Sequence, residues 1–437
     1  MRQVHRTADV FGIQRDVPQN YVTRLHVDDV FVESLTRDKH IVVYGSSKQG
    51  KTSLRKFNLQ PNDYISVTCS NTANLGQLHS QVLKEAGYTV EQSTTRTVTG
   101  EAKIEARFRA ELNVGAAKIG GEAGGSDATG NSATTHDVAL ELDPADANDI
   151  IRALREIDFE AFIVLEDFHY LPRDTQESFS VALKAFHEQS NFTFIIVGVW
   201  LDENRLIQYN GDLTGRVLSV DADKWSEMEL REVVQKGENL LNVVVDDRAV
   251  SDLVTGCFES VYIVQEACYR ICTEANIHET AGTTEQIGSG IDVSALIGQI
   301  VGEQSARYDT FLSDVASGFQ ETQLEMHKWI LLPVLMATST QLEEGLTWNT
   351  MRKVIDANHP DSPVNPGNVT NSLRSIASLQ LASKITPIIL DYDQTRKRLD
   401  VVDRGFLIWL NYQDRSLLLE SLGLPSTPNY PAGIHIG

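Results

Sequence analysis

The sequence predicts an α/β fold built on a parallel sheet, and the order of its apolar segments is the main reason. Short apolar runs alternate with stretches of helical periodicity from about residue 41 to residue 220. The runs Ile41–Tyr44, Phe162–Leu165 and Phe194–Trp200 are apolar almost throughout, which is typical of strands that are covered on both faces. An order of strand, helix and strand is the pattern of a parallel sheet.

The composition is that of an ordinary globular protein. The chain has 437 residues, of which 41% are hydrophobic and 22% are charged, and this length favours more than one domain. No stretch approaches the roughly 20 apolar residues of a membrane helix, and the first residues lack a signal-peptide core, so we expect a cytoplasmic protein. The net charge of −22 argues against a general nucleic-acid coat but leaves room for one local basic surface.

A glycine loop follows the first apolar run directly and precedes a helical stretch. Its residues fit the pattern G-x-x-x-x-G-K-T, in which backbone N–H groups surround phosphates at the start of a helix. We expect Lys51 to contact the β- and γ-phosphates of ATP and Thr52 to ligate Mg²⁺. The predicted nucleotide-binding residues are Gly45, Ser46, Ser47, Lys48, Gln49, Gly50, Lys51, Thr52 and Ser53.

Two acids end the apolar run that begins at Phe162. A strand that ends in Glu166 and Asp167 can bring one carboxylate to Mg²⁺ and the next to the attacking water. We therefore expect Thr52, Glu166 and Asp167 to form the magnesium site, with Asp167 also acting as the general base. Because an aspartate side chain is short, Asp167 reaches the water less well than a glutamate, and slow hydrolysis follows.

The parallel-sheet pattern is interrupted between about residues 90 and 143. Apolar and polar residues alternate from Lys103 to Val114, which predicts a half-exposed strand in a β-hairpin. A segment rich in Gly, Ala and Ser follows, and its composition is that of a loop. This insertion either packs on its own domain or serves oligomerisation or partner sensing through Arg107 and Arg109.

The last third of the chain predicts a winged helix, because three helices precede two strand-like runs, Ile385–Tyr392 and Arg398–Val402. The stretch Asn368–Leu381 would be the recognition helix. A basic wing could hold phosphates while this helix enters the major groove. The candidate DNA-binding residues are Asn371, Arg374, Arg396, Lys397 and Arg398. The local charge balance is only weakly positive, so DNA and protein both stay open as the partner.

These motifs together resemble the AAA+/STAND class of P-loop ATPases, particularly replication-initiator-like members with a helical lid and a C-terminal winged helix. The resemblance implies that Arg216 acts as an arginine finger on the ATP of a neighbouring subunit. It also implies that the segment Val17–Arg24 lies beside adenine.

Two features depart from the pattern of that class. The polar sensor of the class would fall at Gly198–Trp200, which offers no such side chain, so that Asn204 is the nearest substitute. The lid helix near Ser260–Gln265 has no arginine for the γ-phosphate. Both departures favour a nucleotide-controlled switch over a fast motor.

We accordingly expect a P-loop ATPase domain at residues 1–222, a helical lid at 223–278 and a helical and winged-helix domain at 293–437. The leading hypothesis is a slow Mg-ATP-hydrolysing switch that forms a homo-oligomer or recruits a protein effector or DNA, with bacterial defence as one setting. Two alternatives stay open. One is a DNA-binding ATPase of replication-initiator or transposition-regulator type, and the other is a nucleotide-bound adaptor that does not hydrolyse ATP.

Overall fold

The computed structural model describes residues 3–13, 16–98, 101–113, 135–318 and 324–429. Thirteen strands lie in these ranges: β1 His40–Tyr44, β2 Tyr64–Thr68, β3 Thr89–Val98, β4 Glu101–Asn113, β5 Thr135–Leu142, β6 Phe162–Glu166, β7 Phe194–Val197, β8 Val217–Asp221, β9 Val243–Val245, β10 Glu285–Ile287, β11 Leu346–Thr347, β12 Leu390–Asp393 and β13 Arg398–Val401.

The α-helices of the described ranges follow the same chain order. They are α1 Thr7–Val10, α2 Val30–Leu35, α3 Lys51–Asn58, α4 Leu75–Glu85, α5 Ala147–Glu156, α6 Arg173–Gln189, α7 Arg205–Tyr209, α8 Glu227–Leu241, α9 Asp247–Gly256, α10 Val261–Glu274, α11 Val293–Gly302, α12 Ser305–Ser317, α13 Met326–Met336, α14 Ser339–Glu344, α15 Trp348–Asn358, α16 Pro366–Ala382, α17 Arg404–Asn411 and α18 Arg415–Ser421. None of them combines the length and the apolar character needed to cross a bilayer.

A five-stranded parallel sheet forms the centre of the first half of the chain, in the order β2-β6-β7-β1-β8. Alternate residues of its strands enter two separate apolar cores. Val42 and Ile196 pack on one face of the sheet, whereas Ile41 and Ile195 pack on the other. Since both faces are covered, the strands are apolar throughout, as the sequence indicated. The α/β fold class with a parallel sheet is confirmed.

A second, antiparallel sheet is inserted between α4 and α5, with the order β3-β4-β5. Phe108 on β4 is fully buried and contacts the ring of Tyr88 edge to face, which fixes the insertion to the core of the parallel sheet. The predicted hairpin therefore carries a third strand, β5. The Gly- and Ala-rich residues 114–134 lie outside the described ranges.

Helices α13, α15 and α16 pack with the three-stranded sheet β11-β13-β12 in the second half of the chain, and this is a winged-helix arrangement. Strand β12 begins at Leu390, later than the apolar run predicted. The buried side chain of Gln380 is the reason, because its Oε1 accepts from the backbone N–H groups of Ile389 and Leu390. A side chain thus occupies hydrogen-bonding positions that a strand would use.

Candidate nucleotide site

The glycine loop connects the end of β1 to the start of α3, and its conformation explains the glycines. Gly45 and Gly50 have φ values of 140° and 85°, in the region where a side chain is disfavoured. A Cβ at Gly45 would also lie 2.8 Å from the backbone nitrogen of Asp223. Lys48 adopts a φ of 62°. The loop therefore turns back on itself and presents the N-terminus of α3 to a ligand.

Lys51 is held inside this loop. Its Nζ donates to the carbonyl oxygens of Gly45 and Ser46, at 2.9 and 2.5 Å. Burial lowers the pKa of Lys51 to about 8, since an ammonium loses hydration there. A triphosphate would restore the stabilisation of the charged form, so the loop supplies a cation that favours an anionic ligand.

The two acids at the end of β6 line the same cavity as the loop. This cavity of about 520 Å³ includes Thr52, Glu166 and Asp167 in its wall, together with residues 47–51 and 53. Burial raises the pKa values of both Glu166 and Asp167. Parallel strands end at one edge of the sheet, and β7 alone separates β1 from β6, so loop and acids converge as an α/β sheet predicts.

The oxygen atoms at this end of the cavity suit Mg²⁺. A hydroxyl from Thr52 and carboxylates from Glu166 and Asp167 are hard ligands of the kind that magnesium prefers. Within the described ranges, no group of three or more His, Cys, Asp or Glu side chains could hold a metal on its own. That donor set fits an ion bound partly by nucleotide phosphates and water rather than by a complete protein cage.

The cavity wall also includes residues of the N-terminal segment and of helices α8 and α10. Tyr21 and Val22 line it with Val233 and Val261. The amide groups of Asn20 and Gln265 are buried and bond to each other reciprocally, at 3.0 and 2.9 Å. The segment Val17–Arg24 thus lies at the cavity wall. Gln265 gave no sequence signal of its role, because its partner is 245 residues away.

Arg216 lies far from the glycine loop of its own chain. It precedes β8, and its carbonyl accepts from His40 at the start of β1, whereas the loop follows the other end of β1. Its guanidinium is 2.7 Å from Glu188. Arg216 is therefore at the opposite edge of the sheet from the nucleotide cavity of its own chain.

The sensor position is filled by an aromatic ring. A Cβ added to Gly198 would lie 1.6 Å from the fully buried Trp200 ring. Any side chain at this position would therefore collide with the ring. Asn204 is exposed at the start of α7 and is not among the residues that line the cavity. On the lid side, Lys48 lies over the ring of Tyr262 at 4.0 Å and brings a cation to a helix that lacks arginine there.

The candidate DNA-binding residues divide into two groups. Asn371 and Arg374 are exposed on α16, as is Lys397 at the turn of the wing. Arg396, which is also exposed, and Arg398, which is half-buried, line a cleft of about 590 Å³ whose wall also includes Glu203 and Asp221 of the sheet domain. The basic wing thus faces acidic residues of its own chain.

The C-terminal region contacts the glycine loop directly, which the sequence did not indicate. The N–H of Ser47 donates to the carbonyl of Val402 at 3.0 Å. The N–H of Ser46 donates to Asp223 at 2.6 Å, and the other carboxylate oxygen of Asp223 accepts from Arg404 at 2.7 Å. The outer side of the loop is therefore bound by residues just after the wing.

Comparison with solved structures agrees with this fold. A Walker-type ATPase of Pyrococcus abyssi matches with a TM-score of 0.53 at 10% identity, over 92% of this chain and 99% of that chain. The Aeropyrum pernix ORC2 protein, in ADPNP-ADP complexes, has a TM-score of 0.45 at 14% identity, over 94% and 97%. The Aeropyrum pernix ORC1 protein in complex with DNA has a TM-score of 0.41 at 9% identity, over 95% and 97%.

No family model matches the sequence, and no curated protein is detectably related to it. The fold is nevertheless that of a P-loop ATPase with a five-stranded parallel sheet. The similarity to P-loop ATPases, which the sequence motifs indicated, is confirmed at the level of the fold.

Proposed function

We propose that this protein binds Mg-ATP, hydrolyses it slowly and uses the nucleotide to control its own assembly or the recruitment of a partner. The observation that carries the proposal is the convergence of Lys51, Thr52, Glu166 and Asp167 on one cavity at the carboxyl edge of the sheet. This set combines a buried cation, a hydroxyl and two acids, which are the groups that phosphoryl transfer requires.

Each residue has a distinct part in the proposed reaction. The loop from Gly45 to Ser53 surrounds the phosphates with backbone N–H groups, and Lys51 neutralises charge on the transferred phosphoryl group. Asp167 orients the attacking water and accepts its proton, while Glu166 and Thr52 would hold the metal. Bound magnesium would supply additional positive charge at the phosphates.

Slow turnover follows from two features of the cavity. The side chain of Asp167 is one methylene shorter than that of a glutamate, so it reaches the attacking water less well. The sensor position is occupied by Gly198 and the Trp200 ring, so no polar side chain there aligns the water. A switch needs a long-lived nucleotide state more than a high rate.

Two variants test this function. Lys51→Ala should weaken binding of a fluorescent ATP analogue by at least about tenfold, since about 1.4 kcal/mol corresponds to that factor. Asp167→Ala should leave binding within about threefold and abolish steady-state phosphate release, because it removes the base while Lys51, Thr52 and Glu166 remain. Turnover at background level in wild type and both variants would instead support the nucleotide-bound adaptor.

The domain limits and the partner belong to the same proposal. The ATPase domain spans residues 1–222, the lid 223–278 and the C-terminal domain 293–437, and Arg216 would complete the site of a neighbour in a homo-oligomer. Sizing the protein with and without Mg-ATP, in wild type and in Arg216→Ala, tests the assembly. A mass that stays the same with and without nucleotide would contradict it.

DNA is the partner favoured by one observation. Arg374 is exposed on α16 and makes no ion pair or hydrogen bond within the described part of the chain. Arg374→Ala should weaken DNA binding and lower its dependence on salt concentration, as expected when one phosphate contact is lost. If Arg374→Ala bound DNA with the same affinity and salt dependence as the wild type, a protein effector would be favoured.

A further inference from the structure

Arg55 joins the glycine-loop helix to the acidic strand inside the nucleotide site. It lies on α3, one turn after Thr52, and is only 4% exposed. Its Nε donates to Oε1 of Glu166 at 2.8 Å. The guanidinium also lies 4.4 Å from the centre of the Tyr64 ring, which fixes its plane. One carboxylate oxygen of Glu166 is therefore held by a rigid, buried cation.

The contact between Arg55 and Glu166 matters because the residue at position 166 is a glutamate and not an aspartate. A glutamate is longer than an aspartate by one methylene, or about 1.5 Å of bond length, and has one more rotatable bond. An unrestrained Glu166 could therefore occupy several positions in the cavity. Arg55 draws the carboxylate toward α3, while Oε2 has no hydrogen-bond partner within the described residues. One oxygen serves the protein and the other remains for the ligand.

We infer that Arg55 is a positioning residue that adapts a glutamate to the magnesium side of the site. The inference rests on the proposed function and adds a residue that the motif does not contain. Partners of this kind typically change metal affinity by about 10- to 100-fold when they are removed.

A purely structural ion pair would behave differently. Removing one partner of a buried pair leaves the other charge uncompensated and destabilises the fold whichever ligand is bound. Such a loss would affect nucleotide binding equally with and without metal. A positioning role affects only the additional affinity that Mg²⁺ provides. The two roles are therefore separated by the ratio of the dissociation constants in EDTA and in Mg²⁺.

The experiment is a double-mutant cycle on the full chain with a fluorescent ATP analogue. Arg55→Met should lower the EDTA-to-Mg²⁺ ratio of dissociation constants by about tenfold and change the EDTA value by less than about twofold. In the background of Glu166→Asp, whose shorter side chain needs no restraint, the same substitution should change the ratio by less than about twofold. Equal losses with and without Mg²⁺, or equal losses in both backgrounds, would overturn the inference.

Arg55→Lys and Arg352→Met complete the design. The lysine keeps the charge but lacks the planar guanidinium, so the ratio should fall by about threefold in wild type and stay unchanged with Glu166→Asp. This variant decides the question if Arg55→Met does not fold. Arg352, 3.3 Å from Asp356 on α15, provides a more exposed ion pair away from the cavity, and its loss should leave the ratio unaltered.

Failure of the inference is distinguishable from failure of the proposed function. If Lys51→Ala abolishes nucleotide binding while Arg55→Met leaves the ratio unchanged, the site binds ATP and only the role of Arg55 is wrong. If Lys51→Ala binds as wild type does, the proposed function itself is wrong.

Discussion

Asp400 faces Asp391 across the antiparallel pair of β12 and β13, and both side chains are buried. Asp391 is paired with Arg205 of the sheet domain, and Asp400 with Arg398 at 2.6 Å. Burial raises the pKa of Asp400 to about 7, with Arg398 opposing the rise and Asp391 adding to it. Like charges opposite each other on neighbouring strands destabilise a sheet, so proton uptake by Asp400 relieves a repulsion.

Asp400→Asn should therefore change how stability depends on pH. The folded protein binds a proton at Asp400 that the unfolded chain releases near pH 3.8. The preference of the folded protein for protonated Asp400 stabilises it. This stabilisation is complete below pH 3.8 and is lost as pH rises through about 7. The loss is at most about 4 kcal/mol, because each tenfold change in acidity is about 1.36 kcal/mol. The asparagine variant should lose less stability between pH 5 and pH 8.

Urea denaturation of wild type and Asp400→Asn at both pH values measures this difference. Asn keeps the shape of the side chain but leaves Arg398 without its charged partner. At pH 8 the substitution will therefore raise the unfolding free energy by less than the loss calculated for Asp400. Equal changes in unfolding free energy from pH 5 to pH 8 in the two proteins would show that Asp400 does not titrate in this window.

At the level of elements, the N-terminal segment reaches the nucleotide cavity because α8 contains a buried glycine. A Cβ at Gly237 would lie 2.0 Å from the ring of Phe11. The ring therefore packs against the backbone of α8. The same segment continues to Tyr21 and Val22 at the cavity wall. One close contact between a ring and a helix thus positions part of the ligand site.

Gly237→Ala should destabilise the protein by about 1–3 kcal/mol through overpacking, although alanine by itself favours a helix by about 1 kcal/mol. Nucleotide affinity should fall with it, since the N-terminal segment moves. Gly302→Ala is the matched control, because that glycine ends α11 with nothing near its Cβ. The two variants are compared by urea unfolding curves and by their affinity for a fluorescent ATP analogue. If both variants gained stability, the packing argument would be wrong.

The elements around the site were predictable for a physical reason. Strands β1 and β6 are covered on both faces, so each appears as a continuous apolar run, and the glycines and acids that follow mark the carboxyl edge. β5 was missed because its pairing with β4 is not visible in local periodicity. β12 was predicted too long because Gln380 replaces strand hydrogen bonds there. The pairing of Arg55 with Glu166 joins residues 111 positions apart, which no local pattern reveals.

On the scale of the whole molecule, the glycine loop is also an interface between distant parts of the chain. Arg404, at the start of α17, contacts Asp223 at 2.7 Å and Glu259 of the lid region at 3.1 Å. Val402 accepts from Ser47 of the loop and packs with Val199 and Ile388. The loop and the C-terminal region are therefore in direct contact, and a change in the loop on nucleotide binding would reach that region without an intermediate element.

Coupling of this kind is reciprocal, because two linked equilibria change each other's free energy by the same amount. Arg404→Ala leaves the buried carboxylate of Asp223 without its cation, and such a loss typically costs about 3–5 kcal/mol. The C-terminal region should then separate more readily from the sheet domain. Proteolysis should accelerate in the linker, by which we mean residues 279–290, the segment that joins α10 to α11 and includes the short strand β10. Nucleotide affinity should weaken as well, since Asp223 also holds the N–H of Ser46.

Limited proteolysis and analogue binding, each performed with and without Mg-ATP, test this coupling. Nucleotide should protect the linker of the wild-type protein from proteolysis. In Arg404→Ala this protection should be smaller, by the same factor by which nucleotide affinity falls. Arg248→Ala is the control, because that side chain is 91% exposed on α9 and touches neither partner. If nucleotide binding were weaker in Arg404→Ala while protection of the linker stayed unchanged, the loop and the C-terminal region would respond independently. Coupling through a shared interface requires that the binding equilibrium and the opening equilibrium change together.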